Sequence, residues 1–489
     1  MKRTLFLLSI AIACITGCQQ TPETKPNIIF ILADDLGYGE LGCYGQELIQ
    51  TPNVDNLAAE GMRFTNFYSG SPVCAPSRCV LLTGLHTGHS FVRDNYEMGG
   101  YLDEEEGGQL PLPPGTQTLA RLFKENGYAT GAIGKWGLGG PESTGLPTRQ
   151  GFDFFYGYLC QKQAHNYYPS HLWRNEEWDT LANGYFPQHQ EFEGDPSNLA
   201  DFEKYKGPEY AQDLMAGEAL QFIREHKDDP FFLYLPFPVP HLALQVPDES
   251  LQMYLGKFEE EPYLGENGYL PHPYPKSAYA GMITRMDMHI GQIMDLLNEL
   301  GLDDNTVVMF SSDNGATFLD QVDTELFDSH AGLRGHKGNL YEGGIRVPFI
   351  VKLPGHTEPG RVSNYIGSFQ DVMPTLLEIA GIEAPHYLDG ISLLPEISGH
   401  EQRDHGFLYW EYRSGPGWQA VRKDDWKAIR KGIRNDPGAP MELYNLKDDF
   451  SEQHDLAEEY PGVIERMEEL MKNARVPSSY FPLAIDSIN

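Results

Sequence analysis

Cysteine and basic residues are both scarce in this sequence. Six cysteines in 489 residues are too few for a disulfide scaffold. Only 36 Lys and Arg face 70 Asp and Glu, which gives a formal net charge of -34 at pH 7. This charge argues against a nucleic-acid partner and against a broad groove for a long polyanion, because both would be repelled. A small local cluster of Lys, Arg and His is still able to hold one small anion.

Long apolar runs are absent as well: beyond the N-terminal segment, none reaches the ~18 residues of a membrane helix. Residues 1–17 have a basic start and an apolar core, which is typical of a secretory signal peptide. The small residues ahead of Cys18 resemble a bacterial lipobox. We therefore expect a lipid anchor at Cys18, a linker over 18–26 and an exported protein, periplasmic or at the cell surface, tethered to a bacterial membrane. The alternative is an ordinary cleaved signal in which Cys14 and Cys18 are incidental.

The mature chain of about 470 residues exceeds what one core usually supports, so we expect a large domain over 27–395 and a small one over 396–489. In the large domain, apolar runs without polar alternation predict buried parallel strands at Asn27–Ala33, Tyr128–Ile133, Pro230–Leu235 and Thr306–Phe310. Helical patterns lie at Thr116–Asn126, Glu209–Lys227, Ser277–Leu300 and Asp371–Gly381. This alternation indicates an α/β fold, with a large doubly wound sheet flanked by helices.

The composition changes towards the C-terminus, where short aromatic runs favour an antiparallel sheet. The predicted strands are Phe407–Tyr412, Trp418–Arg422, Trp426–Arg430 and Leu443–Leu446. An acidic amphipathic helix over Pro461–Arg475 completes an α+β domain.

Polar residues follow each of the four predicted parallel strands. They are Asp34 and Asp35, Lys135, His241, and Asp313 and Asn314. Ligands of open α/β sheets bind outside the carboxyl ends of the strands, so these side chains describe one site. Adjacent carboxylates repel each other unless a cation neutralises them. The acidic and amide side chains offer only hard oxygen ligands, which suits Ca²⁺ or Mg²⁺, and Ca²⁺ is the better match to a crowded carboxylate cage.

The segment Ser71–Gly84 places Cys74 just ahead of a Pro-Ser-Arg step that opens an apolar helical run. Cys74 and Arg78 would therefore lie at the positive end of a helix, where an anion is favoured. With Cys14, Cys18 and Cys74 set aside, the remaining cysteines allow at most one disulfide.

The motif C-A-P-S-R resembles the C-x-P-S-R signature of type I sulfatases, in the alkaline-phosphatase-like superfamily, and further segments extend the resemblance over nearly the whole mature chain. The resemblance implies that a formylglycine-generating enzyme oxidises Cys74 to formylglycine. It also implies a calcium site, with the following ligands: Asp34, Asp35, Asp313, Asn314 and the modified Cys74. A hydrated formylglycine would attack sulfur, form a covalent sulfo-enzyme and then expel sulfate.

The resemblance implies roles for four further residues. Arg78 would orient the modified side chain, and Lys135 and Lys337 would polarise the sulfate. His241, in P-F-P-V-P-H, would protonate the leaving group.

One segment departs from the family. The family usually reads G-K-W-H-L-G, whereas the matching segment Gly134–Gly139 reads G-K-W-G-L-G. Gly137 thus replaces the histidine that, in the family, handles the proton of the diol. Our hypothesis is that His165 takes this role. A purely structural or sugar-binding His165 is the alternative.

The aromatic and polar loop Cys160–Gln190 is typical of sugar contacts. We expect substrate contacts from His165, Asn166 and His171 in this loop and from His336. The expected substrate is a sulfated carbohydrate of galactose or N-acetylgalactosamine type, from which the enzyme would remove sulfate in exo fashion. Two alternatives stay open. One is a phosphodiesterase or phosphonate monoester hydrolase of the same superfamily, and the other is a non-catalytic glycan-binding lipoprotein, which Gly137 favours and the intact C-x-P-S-R motif opposes.

Overall fold

The computed structural model describes residues 25–100 and 102–487, so the predicted signal peptide, Cys14 and Cys18 lie outside the described residues. Its larger part is a ten-stranded sheet. The strands are β1 (Asn27–Ala33), β2 (Met62–Tyr68), β3 (Ala129–Lys135), β4 (Phe154–Tyr158), β5 (His171–Arg174), β6 (Glu177–Thr180), β7 (Phe231–Pro236), β8 (Thr306–Ser312), β9 (Phe349–Lys352) and β10 (Arg361–Ser368).

The strand order is β10-β2-β9-β8-β1-β7-β3-β4-β5-β6. The central strands β8, β1, β7, β3 and β4 run parallel, and β9, β5 and β6 pair antiparallel to their neighbours. Every residue of β1, β7 and β8 is buried, because helices cover both faces of the sheet. The four predicted parallel strands are confirmed, with bounds shifted by two residues at most.

Helices pack on both faces of this sheet. They are α1 (Pro52–Glu60), α2 (Cys74–Thr83), α3 (Leu119–Glu125), α4 (Ala211–Glu225), α5 (Asp248–Gln252), α6 (Pro275–Leu300), α7 (Glu342–Ile345), α8 (Val372–Ile379) and α9 (Leu394–Ile397). The longest, α6, ends at Gly301, whose φ of 67° is the left-handed conformation that terminates a helix at low cost. Among the described residues, no helix has both the length and the apolar content needed to cross a membrane.

A second, four-stranded antiparallel sheet follows, in the order β11 (Leu408–Tyr412), β12 (Trp418–Lys423), β13 (Trp426–Lys431) and β14 (Met441–Asn445). Helix α10 (Pro461–Asn473) covers one face with Met467 and Met471. The other face packs on the larger part, and there Trp410 donates its indole N–H to Ser69 O at 2.9 Å. The predicted α/β fold with a smaller C-terminal α+β part is therefore confirmed.

The structure differs from the sequence predictions in one local feature. The segment Cys160–Gln190, predicted to be an irregular loop, contains the hairpin of β5 and β6. The cysteines of the described residues, Cys43, Cys74, Cys79 and Cys160, are free thiols.

Candidate active site

Helix α2 brings Cys74 to the carboxyl end of the sheet. Cys74 is the first residue of the helix and is 2% exposed. The backbone N–H of the following residue, Ala75, donates to the side-chain oxygen of Asn95 at 3.1 Å. All ten residues of α2 are buried, so the position of its N-terminus is set by packing on every side.

The predicted metal ligands meet beside Cys74. Asp34 and Asp35 follow β1, and Asp313 and Asn314 follow β8, which pairs in parallel with β1. The Asn314 side-chain N–H donates to Asp35 Oδ1 at 2.8 Å, and the Asp35 backbone N–H donates to Asp313 Oδ1 at 3.2 Å. Asp34, Asp35, Cys74 and His241 each offer a ligand atom within 4.8 Å of one another.

The side-chain oxygen of Asn314 indicates whether these residues fit a cation. This Oδ1 atom is buried and accepts no hydrogen bond, although a buried amide oxygen without a partner is costly. This oxygen and the neighbouring carboxylates form an all-oxygen donor set, which fits a hard divalent cation such as Ca²⁺ or Mg²⁺.

Three cationic side chains surround the same carboxylates. Arg78 donates to Asp313 Oδ2 through Nε (3.0 Å) and Nη2 (2.8 Å), and its Nη1 donates to the carbonyl of Lys135. Lys135 Nζ lies 2.5 Å from Asp34 Oδ2 and 3.6 Å from Cys74 Sγ. Lys337 Nζ donates to Asp35 Oδ2 at 2.7 Å. The site therefore holds three carboxylates and three cations, and a divalent ion would make it positive enough to attract an anionic substrate.

Burial and charge set the ionisation of these groups. Burial alone would raise the pKa of Asp34, but the charges of Lys135 and Arg78 outweigh it and hold this pKa well below the usual range. Burial and the nearby Asp34 raise the pKa of Asp313. Burial, with Asp34 next, also raises the pKa of the Cys74 thiol far above its ordinary value. The unmodified thiol is therefore neutral and a poor nucleophile.

His241 lies beyond the end of β7 and faces the same carboxylates. Its Nδ1 donates to the carbonyl of Leu242 at 2.6 Å, and its Nε2 lies 3.6 Å from Asp35 Oδ2. Burial, followed by the charges of Lys337 and Lys135, lowers the pKa of His241 to about 4. The ring is neutral at pH 7, with Nε2 turned towards the site.

His165 lies behind His241 and not in direct hydrogen-bond contact with it. The two rings stack with centroids 4.7 Å apart, and His165 Nδ1 lies 2.9 Å from Nε2 of His189. Tyr269 completes this aromatic wall, 5.2 Å from His165. Burial, then the charge of His241, keeps the pKa of His165 well below the ordinary histidine value, so the ring is neutral. Its role as a base remains a hypothesis.

The other predicted substrate contacts lie in different surroundings. Asn166 is buried, and its Oδ1 accepts the Tyr168 N–H at 2.9 Å. His171 stacks on Trp178 in the β5–β6 hairpin, with centroids 3.9 Å apart. His336 is exposed beside Lys337, and its Nδ1 bonds to the carbonyl of that lysine at 2.7 Å. These three remain predicted contacts.

Two residues beside the site were not assigned from the sequence. Tyr269 lies in an acidic insertion whose sequence has no periodicity. Its place beside the site is visible only from its contact with the ring of His165. Gln161 occupies the space above Gly137: a Cβ added to Gly137 would lie 2.7 Å from Gln161 Nε2. The missing histidine at 137 was the one sequence signal pointing to this space.

A second group of metal-type ligands, His86, His89 and Asp389, lies beyond the C-terminal end of α2. Helix α2 has ten residues, and it separates this group from Cys74 by about 15 Å. The Gly88 N–H donates to Nδ1 of His86 at 3.1 Å, which leaves the proton of the neutral ring on Nε2. The group is therefore remote from Cys74 and separate from the carboxylates beside it.

Comparison with known proteins decides the family. A family model described as Sulfatase matches residues 26–382, which is well over half of the chain. This chain belongs to the sulfatase family. A second model, described as N-sulphoglucosamine sulphohydrolase, C-terminal, matches residues 335–476 of this sulfatase.

Relatives agree on the reaction class. The N-acetylgalactosamine-6-sulfatase of Homo sapiens is 32% identical over 452 residues, covering 88% of this chain and 79% of that protein. The steryl-sulfatase of Rattus norvegicus is 31% identical over 475 residues, covering 84% and 78%. A crystal structure of Ps i-CgsB with k-i-k-neocarrahexaose has a TM-score of 0.75 and 27% identity, covering 95% of this chain and 96% of that one. This sulfatase is thus a sulfuric ester hydrolase, as predicted.

Proposed function

We propose that this sulfatase removes a sulfate group from a carbohydrate, in exo fashion, with a Ca²⁺ ion and a formylglycine derived from Cys74. One observation carries the proposal: Cys74 Sγ lies 3.4 Å from Asp34 Oδ1, beside the buried side-chain oxygen of Asn314 that accepts no hydrogen bond. A galactose or N-acetylgalactosamine sulfate is the proposed substrate.

Two groups that this chain would carry supply chemistry that its side chains lack. Asp34, Asp35, Asp313 and Asn314 would hold the cation, whose charge would favour an anionic oxygen nearby. Formylglycine at position 74, as its hydrate, would supply the oxygen nucleophile. An unmodified thiol would serve poorly here, because burial and the nearby Asp34 raise the pKa of Cys74 and keep it protonated at neutral pH.

The remaining steps depend on side chains that are already in place. Lys135, 3.6 Å from Cys74 Sγ, is positioned to bind a sulfonyl oxygen of a sulfate held against residue 74. Lys337 supplies a second positive charge from the other side of Asp35. Arg78 donates to Asp313 and to the carbonyl of Lys135, which keeps the lysine strand and the acidic loop in register.

His241 is the proposed acid for the leaving alkoxide. Its Nδ1 is occupied by the carbonyl of Leu242, so Nε2 is the atom that exchanges a proton at the site. A bound sulfate brings negative charge next to this ring and raises the pKa of His241 above its resting value of about 4.

The carbohydrate substrate is supported by the aromatic wall and by the relatives. The ring of Tyr269 is partly exposed beside His241 and would give a flat surface that a sugar ring packs against. One relative is named N-acetylgalactosamine-6-sulfatase, and a similar structure is a complex with k-i-k-neocarrahexaose.

Two measurements test this proposal. Peptide mass spectrometry on the tryptic fragment containing Cys74, from protein made in its native host, should show the aldehyde in place of the thiol. Desulfation should then be measured on singly sulfated galactose, N-acetylgalactosamine and glucosamine, with an aryl sulfate, a phosphodiester and a phosphonate monoester as comparison substrates. Activity confined to the aryl sulfate would refute the carbohydrate substrate, and faster phosphonate or phosphodiester cleavage would favour the alternative hydrolase.

The cellular context is a separate part of the proposal. We propose that the protein is exported, periplasmic or at the cell surface, anchored through a lipid on Cys18, and matured by a formylglycine-generating enzyme. Metabolic labelling with a fatty-acid probe should mark the wild-type protein and not a Cys18→Ala variant. Equal labelling of both would exclude the anchor.

A further inference from the structure

Gly137 and Gln161 share one space beside the active site. Gly137 has a φ of 78°, and a Cβ placed there would lie within 2.9 Å of three atoms of the Gln161 side chain. Any side chain at position 137 would therefore point into the volume that the Gln161 amide fills. The amide occupies the position that the histidine would take in the G-K-W-H-L-G pattern.

The Gln161 amide has an unused donor. Gln161 is 3% exposed, and its Nε2 is buried with no hydrogen-bond partner. The backbone of the same residue is well held, because its N–H donates to Gln109 Oε1 at 3.0 Å. A buried N–H₂ without an acceptor is costly, so it calls for an explanation such as an unoccupied ligand position.

The surrounding chain places this donor at the substrate end of the sheet. The Gly137 N–H donates to the carbonyl of Leu159, which joins the ends of the parallel strands β3 and β4. Lys135, two residues before Gly137, reaches Cys74. His165, four residues after Gln161, stacks on His241. Gln161 thus contacts the segment that follows Lys135 and precedes His165 in the chain, and both of these residues lie beside the candidate site.

We propose that Gln161 Nε2 donates a hydrogen bond to an oxygen of the substrate's sulfate group. This inference rests on the proposed function and names a further binding residue for the same site. A primary amide suits the role because it donates to an anion and stays neutral at every working pH. Gly137 is then required for space, since a larger residue there would displace the donor.

Three substitutions of Gln161 separate the effect of its hydrogen-bond donor from the effect of its side-chain volume. Gln161→Leu keeps most of the volume and removes the donor, and we expect a kcat about 100-fold lower on the preferred sulfated sugar. We expect the Kd for inorganic sulfate, measured by calorimetry, to rise at least about tenfold. Gln161→Glu adds a negative charge and should weaken sulfate binding further, whereas Gln161→Asn should lie between wild type and Gln161→Leu.

A matched control is Gln212→Leu. Gln212, on α4, is also a buried glutamine whose amide has no partner, and it has no place in the proposed site. Its variant should keep the sulfate affinity of the wild type. Circular dichroism and the melting temperature show whether each variant is folded.

An exchange between the two positions tests the shared space directly. Asparagine tolerates a positive φ better than most residues. Gly137→Asn alone should lose sulfate binding, because its side chain meets the Gln161 amide. Adding Gln161→Ala frees the space, so the double variant should regain sulfate affinity and kcat relative to either single variant.

The outcomes separate this inference from the proposed function. Unchanged sulfate affinity and kcat in Gln161→Leu, or no recovery in a folded double variant, would overturn the role of Gln161. A wild-type enzyme that binds sulfate through Gln161 but hydrolyses no sulfated sugar would leave the inference standing and refute the proposed substrate.

Discussion

At the scale of a single residue, the neighbours of His241 fix both its orientation and its charge. Its Nδ1 is fixed by the carbonyl of Leu242, and the stacked ring of His165 limits its rotation. With the pKa lowered to about 4 by burial, Lys337 and Lys135, the ring has little charge of its own until an anion arrives. The proposed proton donation by His241 would therefore depend on bound substrate.

Replacement of this residue should distinguish substrates by their leaving groups. We predict that His241→Gln lowers kcat on a sulfated sugar by 10² to 10⁴-fold, roughly the range for loss of a general acid. An aryl sulfate should lose far less, because a phenoxide leaves without help. Steady-state rates on both substrates check this, and equal losses on the two would argue against the acid role.

A second histidine links stability to pH. His272 is buried, and its Nδ1 accepts the Tyr274 N–H at 3.0 Å. Burial, with Lys206 next, lowers the pKa of His272 to about 3, against roughly 6.5 when unfolded. Because the pKa of His272 is lower in the folded protein than in the unfolded chain, neutral His272 contributes its full share to the free energy of unfolding above pH 6.5. This contribution is lost as the pH falls towards 3.

His272→Asn should make the pH dependence shallower. Asparagine keeps an acceptor near the Nδ1 position and cannot be protonated. We predict that the slope of the unfolding free energy between pH 6.5 and 4.5 falls by up to about 1.4 kcal/mol per pH unit. Urea unfolding at several pH values measures it, and identical slopes would contradict the prediction.

At the scale of elements, the site is built where parallel strands end. β1 and β8 bring Asp34, Asp35, Asp313 and Asn314 together through pairing of their last residues. Without a cation, Lys135, Arg78 and Lys337 neutralise these carboxylates. The loops after β1 and β8 are thus held by charge from both sides.

Removal of the cation should affect activity more than folding. We predict that EDTA abolishes desulfation and that Ca²⁺ restores it. The melting temperature should fall only by a few degrees, because the three cationic side chains still pair with the carboxylates. Differential scanning calorimetry with and without EDTA checks this, using Asp313→Asn as the variant that should no longer respond to Ca²⁺. Full activity after exhaustive chelation would exclude the metal.

The sequence predicts the buried strands better than the edges of the sheet. β1, β3, β7 and β8 are continuous apolar runs, so their burial is visible in the residues themselves. β2, β5, β6 and β10 alternate or are short, and their pairing depends on distant partners that no local pattern reveals. The same reason applies to the candidate site: the grouping of side chains at strand ends was predictable, whereas Gln161 and Tyr269 lie beside the site only through loop packing.

At the scale of the whole molecule, one buried charge group joins the two sheets. Lys427, on β13, pairs with Glu342 of α7 at 2.8 Å and with Glu452 at 2.9 Å, and all three side chains are fully buried. Glu342 also receives a hydrogen bond from Tyr68 at 2.6 Å. The C-terminal sheet thereby holds the segment that follows Lys337.

Loss of the central lysine should destabilise this junction. We predict that Lys427→Met lowers the unfolding free energy by about 3 to 5 kcal/mol, since it removes the ion-pair partner of the buried Glu452 and leaves the buried Glu342 with Arg346 only. Chemical denaturation measures the change. Lys447→Met, at an exposed position after β14, is the control and should stay within about 0.5 kcal/mol of wild type. A wild-type value for Lys427→Met would show that the charge group is not needed for stability.

The same junction limits how this enzyme can be recombined with its relatives. A chimera that takes its C-terminal sheet from another sulfatase would bring a foreign partner to Glu342 while keeping the native α7. Such hybrids should fold only when α7 and the donor sheet are exchanged together, so a crossover point ahead of Lys337 suits protein engineering better than one at the start of β11.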